Sequence, residues 1–142
     1  MFHIMLAEDN PGDVLLFQEA LRGRNLRFEL AVAGDGQQAN AMVRDAAAGG
    51  QRPHLIVLDV NLPKLNGDDV LRHIRLEPGL AGIPVVMLTS SPSPLDRATA
   101  DGLGASLYLQ KASDLDGLYR LGRIIEDILL QEDILLQPDG LK

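Results

Sequence analysis

The sequence predicts an α/β domain, a doubly wound parallel sheet of five strands in the order 2-1-3-4-5 with helices on both faces. Three observations carry that expectation. Five short apolar runs alternate with longer helical stretches along the 142 residues. Two of the runs, LIVL at 55–58 and VVML at 85–88, are apolar throughout, as strands covered on both faces require. No interval is long enough to separate two domains, so 1–142 is expected to form one unit, with 131–142 a helical extension or tail. Such alternation implies right-handed crossovers, and the common five-strand order puts its switch point between the first and third strands.

The elements follow in order. The first strand is IMLA at 4–7. The first helix starts at Asn10, an N-cap with Pro11 at the first helical position, and stops at Gly23. RFELAVA at 27–33 alternates in polarity and suits an edge strand. Asp35-Gly36 could signal a hairpin turn, but the stretch continues with helix formers, and Asp35 and Gln38 have the capping-box spacing. That helix ends at Gly49-Gly50. The third strand is LIVL at 55–58, and its helix ends around Pro78-Gly79. PVVML at 84–88 is the fourth strand, followed by a helix capped by Ser93 and Asp96 around Pro94. SLYL at 106–109 is the fifth, with Ser113 and Asp116 opening the last helix.

Composition removes several function classes. The chain has no cysteine, hence no disulfide framework and no thiolate chemistry. His3, His54 and His73 lack metal-ligand spacing. The formal charge of −7 and 4% aromatic content oppose nonspecific nucleic-acid binding. No apolar run reaches the length of a membrane span, and the amino terminus does not read as a signal peptide, so a cytoplasmic location is expected.

Chemistry belongs at the carboxyl ends of the strands. There the chain has Glu8-Asp9 after the first strand, Asp59 after the third, Thr89-Ser90 after the fourth and Lys111 after the fifth. With the first and third strands adjacent, three carboxylates meet at the switch point. Two like charges about 4 Å apart repel by roughly 4 kcal/mol at an effective dielectric near 20. A hard divalent cation such as Mg²⁺ offsets that repulsion, and Lys111 adds a fixed positive charge. Acids, a lysine and a hydroxyl so arranged form a site for transferring a phosphoryl group onto a carboxylate.

Four ordered motifs, LAEDN at 6–10, LDVNLPKLNG at 58–67, MLTS at 87–90 and YLQK at 108–111, each close a predicted strand. Over roughly 1–130 the chain resembles the receiver domain of two-component response regulators, which implies a flavodoxin-like (βα)5 fold. The resemblance implies that Asp59 accepts the phosphoryl group. It assigns Mg²⁺ to Glu8, Asp9, Asp59 and the backbone carbonyl of Asn61. It makes Thr89 the switch hydroxyl, Tyr108 the switch aromatic, and Lys111 the partner of the acyl phosphate. Taken singly, each of these residues has an ordinary reading: cap, loop acid, solvated lysine, turn threonine or packed tyrosine. Their order along the chain decides against those readings. One departure stands out, because family members usually have proline after the lysine and this chain has Ala112; a trans Lys111–Ala112 bond is expected.

The resemblance also implies a sensor histidine kinase as donor, and AEDNPGDVLLFQEAL is similar to the single-domain regulators that accompany bacterial phytochromes. No second domain is legible, so the output is expected to be an intermolecular contact or a passed-on phosphoryl group. EDILLQ occurs twice, at 126–131 and 132–137, and the pairs Ile128/Leu135 and Leu129/Leu136 nearly align on a helix. A homodimer through the last helix, the fifth strand and the fourth helix is expected from this surplus of apolar surface.

Three rival readings make demands that the sequence can answer. A haloacid-dehalogenase phosphatase needs a second acid where Asn61 stands, and a flavodoxin-type carrier needs a phosphate loop where EDNPGD is acidic. A phosphorylation-independent adaptor or dimerisation module would tolerate loss of a site residue, and none is lost.

Overall fold

Strand and helix alternate as β1 (Phe2–Ala7), α1 (Pro11–Arg22), β2 (Phe28–Ala33), α2 (Gly36–Ala47), β3 (Leu55–Asp59), α3 (Gly67–Leu76), β4 (Val85–Thr89), α4 (Pro94–Gly102), β5 (Leu107–Gln110) and α5 (Leu115–Leu135). This computed structural model describes residues 1–90 and 93–135, apart from the side chains of 95, 96 and 132–135. The seven residues 136–142, which hold the end of the second EDILLQ copy, lie outside the described residues.

The sheet has the order β2-β1-β3-β4-β5, and every pairing is parallel. This is the expected topology, with β2 on an edge. The period of two along each strand divides the core. Ile4, Leu6, Leu55, Val57, Val86 and Leu88 face α1 and α5, where they meet Phe17, Leu21, Leu121 and Ile125. The alternate residues Met5, Ile56, Leu58, Val85 and Met87 face the other layer and meet Val43, Val70, Leu71 and Ala100. Both faces of β3 and β4 are therefore buried, which is why their sequences are apolar without alternation.

The strand boundaries differ slightly from those expected. β1 begins at Phe2, and β3 and β4 each include one residue more at their carboxyl end, so that Asp59 and Thr89 are strand residues. Asn10 caps α1, its side chain accepting from the N–H groups of Gly12 and Asp13. Asp35 caps α2 by accepting from Gln38 N–H. The cap of α3, Asn66, was not singled out in the sequence. The start of α5 is a correction: Asp114, not Ser113, accepts from Gly117 N–H at 2.7 Å. A carboxylate is the stronger acceptor at the positive end of a helix, and the cap shifts by one residue to use it. The side chain of Asp96, the expected partner of Ser93, lies outside the described residues.

Candidate functional site

Alternation carries Asp59 onto the face of Leu55 and Val57, towards α1, and Glu8 onto the face of Ile4 and Leu6. Both are deeply buried, Glu8 at 4% and Asp59 at 5% exposure. A carboxylate at such a position needs defined partners. Asp59 has them on each oxygen: Asn61 N–H donates to Oδ1 at 3.0 Å, and Lys111 Nζ donates to Oδ2 at 3.0 Å. The backbone of Asn61 can reach back because the β3–α3 loop is tightly folded. Lys64 sits in the left-handed region at φ 72°, and Gly67 packs so closely on the Asp59 carbonyl that a side chain there would collide with it.

Glu8 is held in the same way, accepting from Lys111 Nζ at 2.9 Å and from Asn10 N–H at 3.2 Å. Burial pushes the Glu8 carboxyl up to about 7; the hydrogen bond from Lys111 opposes this and the nearby Asp59 charge adds to it. For Lys111 burial works downwards, but the bonds to Asp13, Glu8 and Asp59 outweigh it, and the ammonium is held charged well above its ordinary range. Ligand oxygens of Glu8, Asp9 and Asp59 all lie within 4.8 Å of one another, and among the described residues they form the one such group of three. Hard oxygen donors at that spacing, with negative charge in excess of the single lysine, fit a divalent cation.

Glu8, Asp9, Asp59, Asn61, Thr89 and Lys111 reach the carboxyl edge of the sheet, whereas Tyr108 stands in mid-strand opposite Met87. Thr89 lies one residue beyond Leu88, the register partner of Asp59, and is buried. Tyr108 is buried on the opposite face with Met87 and Ala100, and the Arg97 guanidinium lies 5.6 Å from its ring centre. The peptide bonds of the described residues are trans, Lys111–Ala112 included, as expected.

One acid was missed. Asp13, in the first turn of α1, accepts from Lys111 Nζ at 2.8 Å, the shortest of the three carboxylate contacts to that lysine. In sequence it reads as an ordinary first-turn acid, and its only signal was the spacing from Asn10.

Residues 4–121 match the family model described as the response regulator receiver domain. The chain belongs to the response regulator receiver family. Receivers are phosphoacceptor signalling proteins, not enzymes acting on a separate substrate, and the acidic group at the sheet edge is consistent with that activity. Response regulator Rcp1 of Synechocystis is 37% identical over 130 residues, covering 90% of this chain and 88% of Rcp1. The crystal structure of the Mn²⁺-bound form of Rcp1 superposes with a TM-score of 0.79 at 36% identity, over 89% of this chain and 93% of that one. The phosphorylated cyanobacterial phytochrome response regulator RcpA superposes with a TM-score of 0.81 at 37% identity, over 91% of this chain and 94% of RcpA. The DNA-binding regulator MtrA of Mycolicibacterium smegmatis is 37% identical over 76% of this chain, which spans only 43% of MtrA. Among the described residues no helix of this receiver is long and apolar enough to cross a membrane.

Proposed function

We propose that this receiver takes a phosphoryl group onto Asp59 from the phosphohistidine of a sensor histidine kinase, with Mg²⁺ bound, and signals through intermolecular contacts. The observation that carries the reading is the setting of Asp59: both oxygens are held by positioned donors, and two further acids stand within 4.8 Å. One Asp59 oxygen attacks phosphorus in line as the N–P bond of the donor breaks, and the electron pair leaves with the imidazole nitrogen. Glu8, Asp9, Asp59 and the Asn61 carbonyl would hold the cation, which supplies neutralisation of phosphoryl oxygens when bound. Lys111 turns its ammonium to the acyl phosphate, and attack of water on the same phosphorus later restores the carboxylate and releases inorganic phosphate.

The added charge, approaching −2, draws the Thr89 hydroxyl towards the phosphoryl group and lets Tyr108 change its packing, a bias between two arrangements of one fold. Likeness to RcpA favours a phytochrome-type kinase as donor. Exposed Leu107 on β5 and Leu130 on α5 favour a homodimer through α5, β5 and α4. The test is acetyl phosphate with Mg²⁺, read by intact mass on wild type and Asp59→Asn. A mass gain of one phosphoryl group in wild type alone is expected. The same gain in both proteins would move the acceptor to another residue, and a gain in neither would leave an adaptor.

A further inference from the structure

Lys111 has three N–H donors, and carboxylates take all three: Asp13 at 2.8 Å, Glu8 at 2.9 Å and Asp59 at 3.0 Å. Two of those acceptors belong to the acid group at the sheet edge, whereas Asp13 stands apart from it on α1. An ordinary role for Asp13 would be to close a capping box at the start of α1. That role is already filled, because the Asn10 N–H donates to Glu8 Oε2 and the Asp13 carboxylate reaches instead a lysine 98 positions away. Lys111 ends a flexible four-carbon stem, is followed by Ala112 and is 16% exposed, so its head group needs an external constraint to keep one position.

We propose that Asp13 is a positioning residue, the fixed anchor that holds the Lys111 ammonium in place while its two other acceptors change partners during phosphoryl transfer. The inference rests on Asp59 being the phosphoacceptor. When Asp59 is phosphorylated to the acyl phosphate, one of its oxygens carries the new O–P bond, and Glu8 would be among the residues holding a bound cation. Asp13 is untouched by either change. The two donors released from Glu8 and Asp59 swing to phosphoryl oxygens about a nitrogen that stays where α1 holds it. The cap at Asn10 and Pro11 at the first helical position fix the turn from which Asp13 reaches across.

The alternative is that Asp13 acts only through its charge, and that alternative has the opposite sign. A carboxylate near an incoming anionic donor repels it, so removal would speed the reaction. Loss of an anchor slows it. With acetyl phosphate and Mg²⁺ on the full chain, Asp13→Ala is expected to lower the rate of mass gain by up to about a hundredfold, the scale of a reacting group misplaced by about 1 Å. Asp13→Glu should restore most of that rate, and Asp13→Asn, which keeps shape and one acceptor oxygen, should fall between. The Mg²⁺ concentration for half-maximal rate should not move. A second readout is independent of activity: the ¹⁵N-detected Lys111 ammonium resonance of the metal-free protein is expected in wild type and Asp13→Glu and lost to exchange in Asp13→Ala.

An Asp13→Ala or Asp13→Asn protein that reacts as fast as wild type or faster overturns the anchor, as does a rate loss that follows a weakened Mg²⁺ midpoint. If wild type takes no phosphoryl group, or Asp59→Asn still does, the failure belongs to the phosphoacceptor reading. The ammonium resonance then decides the anchor by itself, retention in Asp13→Ala rejecting it.

Discussion

Glu8 sits between two demands. Its carboxyl is buried beside Asp59, which pushes it up to about 7, and yet it belongs to the group suited to a divalent cation. The proton and the cation therefore compete for the same oxygens. Below pH 7 Glu8 keeps its proton in the folded protein, so apparent Mg²⁺ affinity should fall as pH drops through 7, by at most about tenfold per pH unit for one proton displaced. Calorimetric Mg²⁺ titrations between pH 5.5 and 8 test this, with Glu8→Gln expected to bind more weakly and without that slope; a flat wild-type profile would reject it. The sign reverses for stability without metal. An unfolded chain releases the Glu8 proton near 4.5, so the contribution of Glu8 to the stability of the metal-free fold is lost as pH rises from there through about 7. Glu8 and Asp59 were legible in the sequence because each closes an apolar run. Asp13 was not, because nothing local separates an acid reaching a distant lysine from one that merely favours a helix start.

The α1–α5 layer shows how closely two elements must approach to hold this site. Gly122 on α5 lies against the backbone carbonyl of Ala20 on α1, and a Cβ there would collide with that carbonyl and meet Arg24 Cδ at 3.0 Å. Backbone cannot yield as a side-chain tip can. Nearby, Arg24 pairs with Glu126 at 2.6 Å and lies over the Tyr119 ring, closing the same contact on its flank. Alanine in place of glycine within a helix ordinarily stabilises by up to about 1 kcal/mol. At 122 we expect Gly122→Ala to destabilise by about 1–3 kcal/mol, because overpacking pushes α1 and α5 apart. Urea unfolding should show a lower midpoint at unchanged slope. A midpoint equal to or above wild type would show that the helices shift freely. The helices themselves were readable from caps and periodicity, but this close approach was not. A glycine in GLYRLGRII carries no mark of the strand or helix that will lie against it.

At the scale of the whole molecule, the length of α5 bears on self-association. The 21 residues of α5 run to Leu135, beyond residue 121 where the family match ends, and Leu130 is 42% exposed. An apolar side chain so placed gains by burial against a second copy. The wild-type chain is expected to sediment as a dimer, and truncation after Leu129, which removes Leu130 with the rest of the extension, should shift it towards monomer in analytical ultracentrifugation. A monomeric wild type, or a truncated chain that remains fully dimeric, would reject a role for this extension.

Strand, helix and cap are governed by interactions between neighbours in the chain, so the alternation, the parallel sheet and the acids at its strand ends could be read directly. The match to known receivers follows from the same local motifs in the same order. Two features were not legible: the helix cap at Asp114, where the neighbouring acceptors Ser113 and Asp114 compete, and the third acceptor of Lys111, which packing decides. Each turns on shifts of one residue or a few ångströms, which local propensity does not resolve. The partner of Lys111 was chosen when α1 settled on the same face of the sheet as Glu8 and Asp59, bringing together side chains 98 residues apart.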